Sequence, residues 1–323
     1  MSYAIHILQT GGPEVMRVVD VPEKLPGPGQ VLIDQTAIGL NFIDVYHRTG
    51  LYPIDLPATI GLEAAGVISK IGDGVTSFAI GDRVAYVGGG VGAYTSKRVI
   101  SANSVVKLPR NVTDKTAAAA MLKGFTATYL LNRTHAVKKG DVVLFHAVAG
   151  GVGLIACQIL KQLGAVVIGT VGSNAKAKIA QNFGCDYPIV YTEESFKDAV
   201  MDITNGIGVP VVYDSVGAST FDDSIDCLAK FGTFVSFGNA SGPVPAFEPA
   251  LLSQKGSLFF TRPTLMNHIE TNELVKELAD WLFNYIENGL KVEIKQTFAL
   301  KDVSDAHRAL ESRNTTGSTI LIP

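Results

Sequence analysis

VVLFHAVAGGVGLIACQILKQLG, residues 142–164, decides the fold of this chain. Residues 142–160 are apolar over a length that matches a membrane span. Glycines at 150, 151 and 153 interrupt the run, and it divides into a β-branched strand, a tight turn and a helix. Backbone without Cβ atoms can approach a diphosphate closely. The helix that follows offers free N–H groups and the positive end of its dipole. The spacing departs from G-x-G-x-x-G, so a purely structural strand-to-helix turn is the competing reading. The surrounding pattern favours the dinucleotide reading.

Short, largely β-branched runs recur at 142–145, 166–169, 189–191, 209–213 and 233–237, and 258–261 reads as a sixth strand. Helix-like segments lie between them at 153–163, 174–183, 193–204 and 219–230. Such alternation implies right-handed crossovers and a parallel sheet covered on both faces, the α/β doubly wound Rossmann class. The first 120 residues read differently, with strand-like runs at 30–37, 64–71 and 83–87 separated by PGPGQ (26–30), GDGV (72–75) and GDRV (81–84). Those are tight-turn sequences, and this half resembles a partly open barrel. Gly88, Gly89, Gly90 and Gly92 lack a flanking strand and helix and read as a flexible loop. Residues 114–131 read as helix, and apolar side chains at three- and four-residue spacing over 274–286 predict an amphipathic helix closed by Gly289. Strand-like runs at 292–298 and 318–322 return the chain to its first domain. The expected division is 1–124 with 265–323, and 125–264.

A chain of 323 residues exceeds what one hydrophobic core usually supports, which also argues for two domains. Its net charge of -3 gives no field to attract nucleic acid or an anionic membrane. Cys157, Cys185 and Cys227 are far apart and form no C-x-x-C pair, so neither a disulfide framework nor a cysteine zinc site is expected. MSYAIHILQTGG lacks the basic region and apolar run of a secretory signal, which predicts a cytoplasmic protein. Sequons at Asn111, Asn132 and Asn314 are then chance matches.

Cofactor choice is read at the end of the second strand. Residues 169–176, GTVGSNAK, contain no Asp or Glu to bind the ribose hydroxyls of NAD. A small hydroxyl and a cation stand there instead, which suits a 2′-phosphate and favours NADPH. Lys176 alone reads equally as a solvated helix lysine.

GLNFIDVYHRTGLYP (39–53), GLEAAGVISKIGDGVTSFAIGDRV (61–84), AVAGGVG (147–153), VVYDSVG (211–217), VSFGNASG (235–242) and ESRNTTGS (311–318) together resemble the zinc-free quinone oxidoreductases of the medium-chain dehydrogenase/reductase superfamily, the bacterial NADPH-dependent members in particular. The resemblance covers nearly the whole chain in order. It implies a GroES-like catalytic domain and a Rossmann domain that binds NADPH. It places Asn41 by the nicotinamide, with Tyr46 and Tyr52 lining the acceptor pocket; Tyr52 reads equally as a packing residue. Lys123 and Thr126 carry over as cofactor contacts near the domain junction, and Gly150, Gly151 and Val152 on the pyrophosphate. Gly172, Ser173, Lys176 and Tyr191 surround the 2′-phosphate, while Ser215, Phe237, Gly238 and Asn239 approach the nicotinamide side. Thr261 and Arg262 follow the sixth strand, and Arg313 belongs to the tail motif unless it is an exposed helix-end arginine.

Zinc-dependent relatives hold their metal with a Cys near the GLN segment and a His before the glutamate of the second motif. Gly39 and Leu62 stand near those places, so no metal is expected. Glu63 is read as a hydrogen-bonding structural carboxylate. Without a Lewis acid, hydride must go to an acceptor that is already electrophilic, such as a quinone or conjugated enone. Asn41 and the tyrosine hydroxyls could then donate to a developing phenolate oxygen. His6, His135, His146, His268 and His307 fall outside any ligand spacing. An alkenal or enoyl reductase is the enzymatic alternative, and a crystallin-like protein that keeps the cofactor fold for binding or bulk structure is the non-enzymatic one. If 257–261 forms a sheet edge, it could pair with a second copy across a two-fold axis, and the resemblance implies a homodimer.

Overall fold

Turn residues cut the first third of the chain into strands. In order these elements are β1 (Ser2–Ile7), β2 (Met16–Val21), β3 (Gln30–Leu40), helix α1 (Phe42–Thr49), β4 (Ala58–Thr59), β5 (Glu63–Ile71), β6 (Arg83–Val87), β7 (Lys97–Ser101) and β8 (Val105–Lys107). Helix α2 (Asp114–Tyr129) follows and widens into a π-turn over Leu130–Thr134. These coordinates come from a computed structural model that describes residues 2–313 and 315–323, so the Asn314 sequon lies outside the described residues.

Strand and helix then alternate through β9 (Val142–Phe145), α3 (Gly151–Leu163), β10 (Val166–Val171), α4 (Asn174–Asn182), β11 (Tyr187–Val190), α5 (Phe196–Ile203), β12 (Val209–Asp214), α6 (Phe221–Asp226), β13 (Leu228–Ser236), α7 (Ala250–Gln254) and β14 (Phe259–Thr261). The chain ends with α8 (Asn272–Glu287), β15 (Ile294–Ala299), α9 (Val303–Glu311) and β16 (Ser318–Ile322). It divides into two compact units, Met1–Phe125 with Ile269–Pro323, and Thr126–His268.

In the first unit the larger sheet runs β15-β16-β3-β5-β6-β8, and β7 also pairs with β3. The long strand β3 shares one edge between β7, along 30–34, and β16, along 38–40, while β5 takes its other edge. That sharing curls the sheet around Ile33, Ile38, Ile68, Tyr86, Tyr94, Leu300 and Leu321, all buried. The curled sheet that corresponds to the expected partly open barrel thus takes one of its strands, β16, from far along the chain.

The second unit has a parallel sheet in the order β11-β10-β9-β12-β13-β14, reversing direction of growth between β9 and β12. Ligands of such sheets sit beyond the carboxyl ends of the strands at that reversal. Leu144, Ile168, Val212, Phe221 and Phe234 fill the core against it. The apolar run 142–160 is β9, a turn and α3, whose face from Gly153 to Leu160 is largely buried and whose C-terminus is closed by Gly164 at φ 78°. Among the described residues no helix is long and apolar enough to cross a membrane.

One expected helix is shorter than its sequence suggests. The segment 219–230 yields only α6, because Leu228 is drawn into the sheet opposite Val209 and the chain must already be extended there. The register shifts before Thr233 pairs with Val211, and exposed Phe231 turns the chain at φ 63°. Asn288 caps α8, with Gly289 following at φ 96°.

Candidate active site

Asn41 is the N-cap of α1 and is buried. Its main-chain N–H donates to Asp44 Oδ2 (2.9 Å), while the Asp44 N–H returns to the Asn41 carbonyl (3.1 Å). The Asn41 side chain is fixed by two opposite demands. Lys123 Nζ, which can only donate, binds Oδ1 at 2.7 Å, and Glu63 Oε1 accepts from Nδ2 at 2.8 Å. The amide is thereby fixed in one orientation. Glu63, fully buried at the head of β5, also takes Lys123 Nζ (3.2 Å) and the Leu122 N–H (2.6 Å). The third ammonium proton of Lys123 goes to the Leu40 carbonyl (3.2 Å). A Cβ built on Gly39 would overlap both the Ala118 carbonyl oxygen and Glu63 Oε1.

One turn along α1, the buried Tyr46 meets Tyr52 edge to face, ring centroids 5.1 Å apart, and the Tyr52 N–H donates to the Tyr46 carbonyl (3.1 Å). Asp44 is fully buried, and burial raises its carboxyl to about 7 against the opposing pull of the Asn41 N–H and the Tyr94 hydroxyl. In the same unit Arg313 follows α9 at φ 59°.

In the second unit the expected cofactor residues gather at the carboxyl ends of the strands. After β9 the chain turns through Ala147 at φ 54° into Gly150, which caps α3 with no side chain of its own. The first turn of α3, opened by Gly151 and Val152, contains no acid. A Cβ at Gly153 would collide with the Val148 carbonyl, so helix and turn pack at glycine distance. His146 braces this turn: its ring lies 2.9 Å from Thr170 Oγ1 and 2.8 Å from Ser224 Oγ, and Thr170 Oγ1 accepts the Ala147 N–H (3.3 Å). Burial lowers the His146 pKa and keeps the ring neutral.

After β10, Gly172 faces Tyr191, whose hydroxyl would lie 2.9 Å from a Cβ placed there. Ser173 caps α4 by accepting the Lys176 N–H (3.4 Å), and Asn174 donates to Glu193 (2.7 Å). After β12, the buried Asp214 accepts from the Val216 N–H (2.6 Å) and Thr220 Oγ1 (2.8 Å), folding the turn that carries Ser215. Gly238 packs on Ser215, a Cβ there falling 2.6 Å from the Ser215 carbonyl, and Asn239 follows it. Phe237 lies 5.7 Å from the Phe145 ring. Arg262 Nη1 reaches the Ser236 carbonyl (3.1 Å), and Thr261 pairs with Val235 in the sheet. Thr126, buried on α2, opens this unit.

The sequence reading gives no role to Asp44, His146 or Asp214. The spacing Asn41-x-x-Asp44 is a capping-box signal that points to Asp44. Nothing local points to His146, whose partners are 24 and 78 residues away.

A β-rich barrel unit and a six-stranded doubly wound unit define a medium-chain dehydrogenase/reductase. Two family models match accordingly: the alcohol dehydrogenase GroES-like domain over residues 27–110 and the zinc-binding dehydrogenase model over residues 151–284. The chain is 48% identical to a quinone oxidoreductase of Pseudomonas aeruginosa over the full length of both. A solved structure of Escherichia coli quinone oxidoreductase complexed with NADPH superposes at a TM-score of 0.98, with 46% identity, covering 99% of this chain and all of that one. A 2-haloacrylate reductase of Burkholderia is 41% identical over all of this chain and 99% of its own. The chain belongs to the quinone oxidoreductases of the superfamily.

Proposed function

We propose that this protein is a metal-independent NADPH:quinone oxidoreductase, with the unit Met1–Phe125 and Ile269–Pro323 carrying catalysis and Thr126–His268 binding the cofactor. The observation that carries the proposal is the carboxyl edge of the parallel sheet. Bare amides open α3 there, and Gly172, Ser173, Lys176 and Tyr191 follow β10 with no acid between Gly169 and Lys176. That donor set fits a diphosphate and a 2′-phosphate. The NADPH named with the Escherichia coli relative supports the same cofactor.

NADPH, when bound, supplies a hydride. The chain's own part is to hold and polarise the acceptor. Asn41, locked between Lys123 and Glu63, presents its spare N–H, and Tyr46 and Tyr52 line the acceptor with hydroxyls that can answer a developing phenolate. Metal independence is supported at Gly39, where a thiolate ligand would require a Cβ in space taken by Glu63 and Ala118. Reduction of a conjugated enone is a second reading, supported by the 2-haloacrylate reductase relative. We place the enzyme in the cytoplasm, a home that suits three buried free cysteines.

NADPH and NADH consumption with a panel of quinones and enones tests the function. Quinone turnover with a preference for NADPH is expected, and Asn41→Ala should lower kcat by about 100- to 1,000-fold. No binding of either coenzyme, or no turnover with any acceptor, overturns the proposal.

A further inference from the structure

Behind α1 lies a second buried polar array that this reaction leaves unused. Arg48, almost wholly buried, sends two parallel bonds to the Glu311 carboxylate (2.8 Å each) and a third from Nε to the Gly11 carbonyl (3.0 Å). Its Nη1 also lies 2.9 Å from His307 Nδ1. A guanidinium only donates, so Nδ1 is the acceptor and the ring's single proton sits on Nε2. Nε2 lies 3.1 Å from Tyr94 Oη, which receives that proton as a hydrogen bond and gives its own to Asp44 Oδ2 (2.8 Å). The same Oδ2 accepts the Asn41 main-chain N–H, while Asp44 Oδ1 is buried with no hydrogen-bond partner. One cation therefore sets the direction of every bond as far as Asn41.

A helix needs no such array to be capped; a serine would do. Keeping a half-satisfied carboxylate out of water is costly, and the cost is met here by groups from three other parts of the fold. We propose that Arg48, His307 and Tyr94 are a positioning relay that holds Asp44 against the Asn41 main chain, and so aims the Asn41 amide from the C-terminal segment that leads into Arg313. The relay rests on the reading of Asn41 as a ligand-contacting residue. Glu311, which anchors its far end, stands two residues before Arg313.

The charged and titratable groups facing Asp44 are Tyr94 before β7, Glu63 on β5 and Lys123 on α2, while Arg48 on α1 and His307 on α9 stand behind Tyr94. Burial sets the Asp44 carboxyl high, Glu63 pushes it further, and the Asn41 N–H, Tyr94 and Lys123 oppose them. Loss of the Tyr94 hydroxyl, or of the imidazole that orients it, must raise it again.

Two measurements on Tyr94→Phe, His307→Leu and His307→Gln test this. The first is the carboxyl titration of Asp44 by carbon NMR in the protein without coenzyme; the second is steady-state kinetics with NADPH and a quinone. Glutamine can accept from Arg48 and donate to Tyr94, as the imidazole does. Tyr94→Phe and His307→Leu should move the Asp44 midpoint up by about one unit. They should lower kcat about tenfold or more, with the NADPH Kd held within about twofold. His307→Gln should restore both. An unchanged midpoint and kcat, a His307→Gln variant as impaired as His307→Leu, or a kcat that falls only with the folded fraction overturns the relay. If His307→Leu does not fold, Tyr94→Phe and His307→Gln carry the comparison. A wild-type protein without quinone turnover sinks the function instead, and the carboxyl midpoints still judge the relay.

Discussion

Lys123 illustrates how little freedom a single side chain keeps in this protein. Its three ammonium protons are committed to the Leu40 carbonyl, Asn41 and Glu63. Lys123→Met would strand the buried Glu63 carboxylate, and the expected loss is about 3–5 kcal/mol. A urea midpoint at pH 7 measures it, and adding Glu63→Leu should recover a large part. His307 gives a second prediction. Burial, helped by Arg48, lowers its pKa to about 3, so the unfolded chain takes up a proton near pH 6.5 that the folded chain refuses. Its stabilising contribution is complete above pH 6.5 and lost as pH falls towards 3. Asp44 acts with the opposite sign: raised to about 7, its contribution is complete below about 3.8 and lost as pH rises through 7. His307→Gln should therefore gain on the wild type by at most about 5 kcal/mol between pH 6.5 and 3, read from urea midpoints across that range. Asn41 was legible in the sequence because it lies in a contiguous motif. Arg48 with His307 was not, since 259 residues separate two partners that share no local pattern.

At the scale of elements, the strand-turn-helix unit at β9 and α3 was legible almost in full, because glycine spacing and β-branched content both act locally. What the sequence hid is the bracing beneath it, where His146 ties β9 to Thr170 and Ser224. Gly153 makes the consequence measurable. A methyl group there meets the Val148 carbonyl, a backbone atom, so α3 must retreat and its opening amides move from the seat proposed for the diphosphate. Gly153→Ala should weaken NADPH binding by about tenfold, roughly 1.4 kcal/mol. Calorimetric titration checks it; unchanged affinity would mean that those amides are not the diphosphate's seat. The α6–β13 junction shows the converse: local helix propensity was overridden by a long-range strand pairing at Leu228.

For the molecule as a whole, we propose a homodimer built on β14. This last strand of the parallel sheet is paired only with β13 among the described strands, and it carries Phe259 exposed at 60%. Light scattering should give twice the 34.2 kDa chain mass, and Phe259→Lys, which puts a charge on the exposed edge strand, should shift it towards the monomer. A wild-type monomer at working concentration would refute the assembly. The first unit is discontinuous, and β16, which pairs with β3 along 38–40, comes only after the whole second unit in the sequence. Synthesis on the ribosome runs from the other end. The contiguous Thr126–His268 unit can mature while the chain is still being translated, but β3 keeps its 38–40 edge open until β16 has been made and has left the exit tunnel. Truncation before Ser318 would thus leave the parallel-sheet unit intact and β3 with an unpaired, aggregation-prone edge.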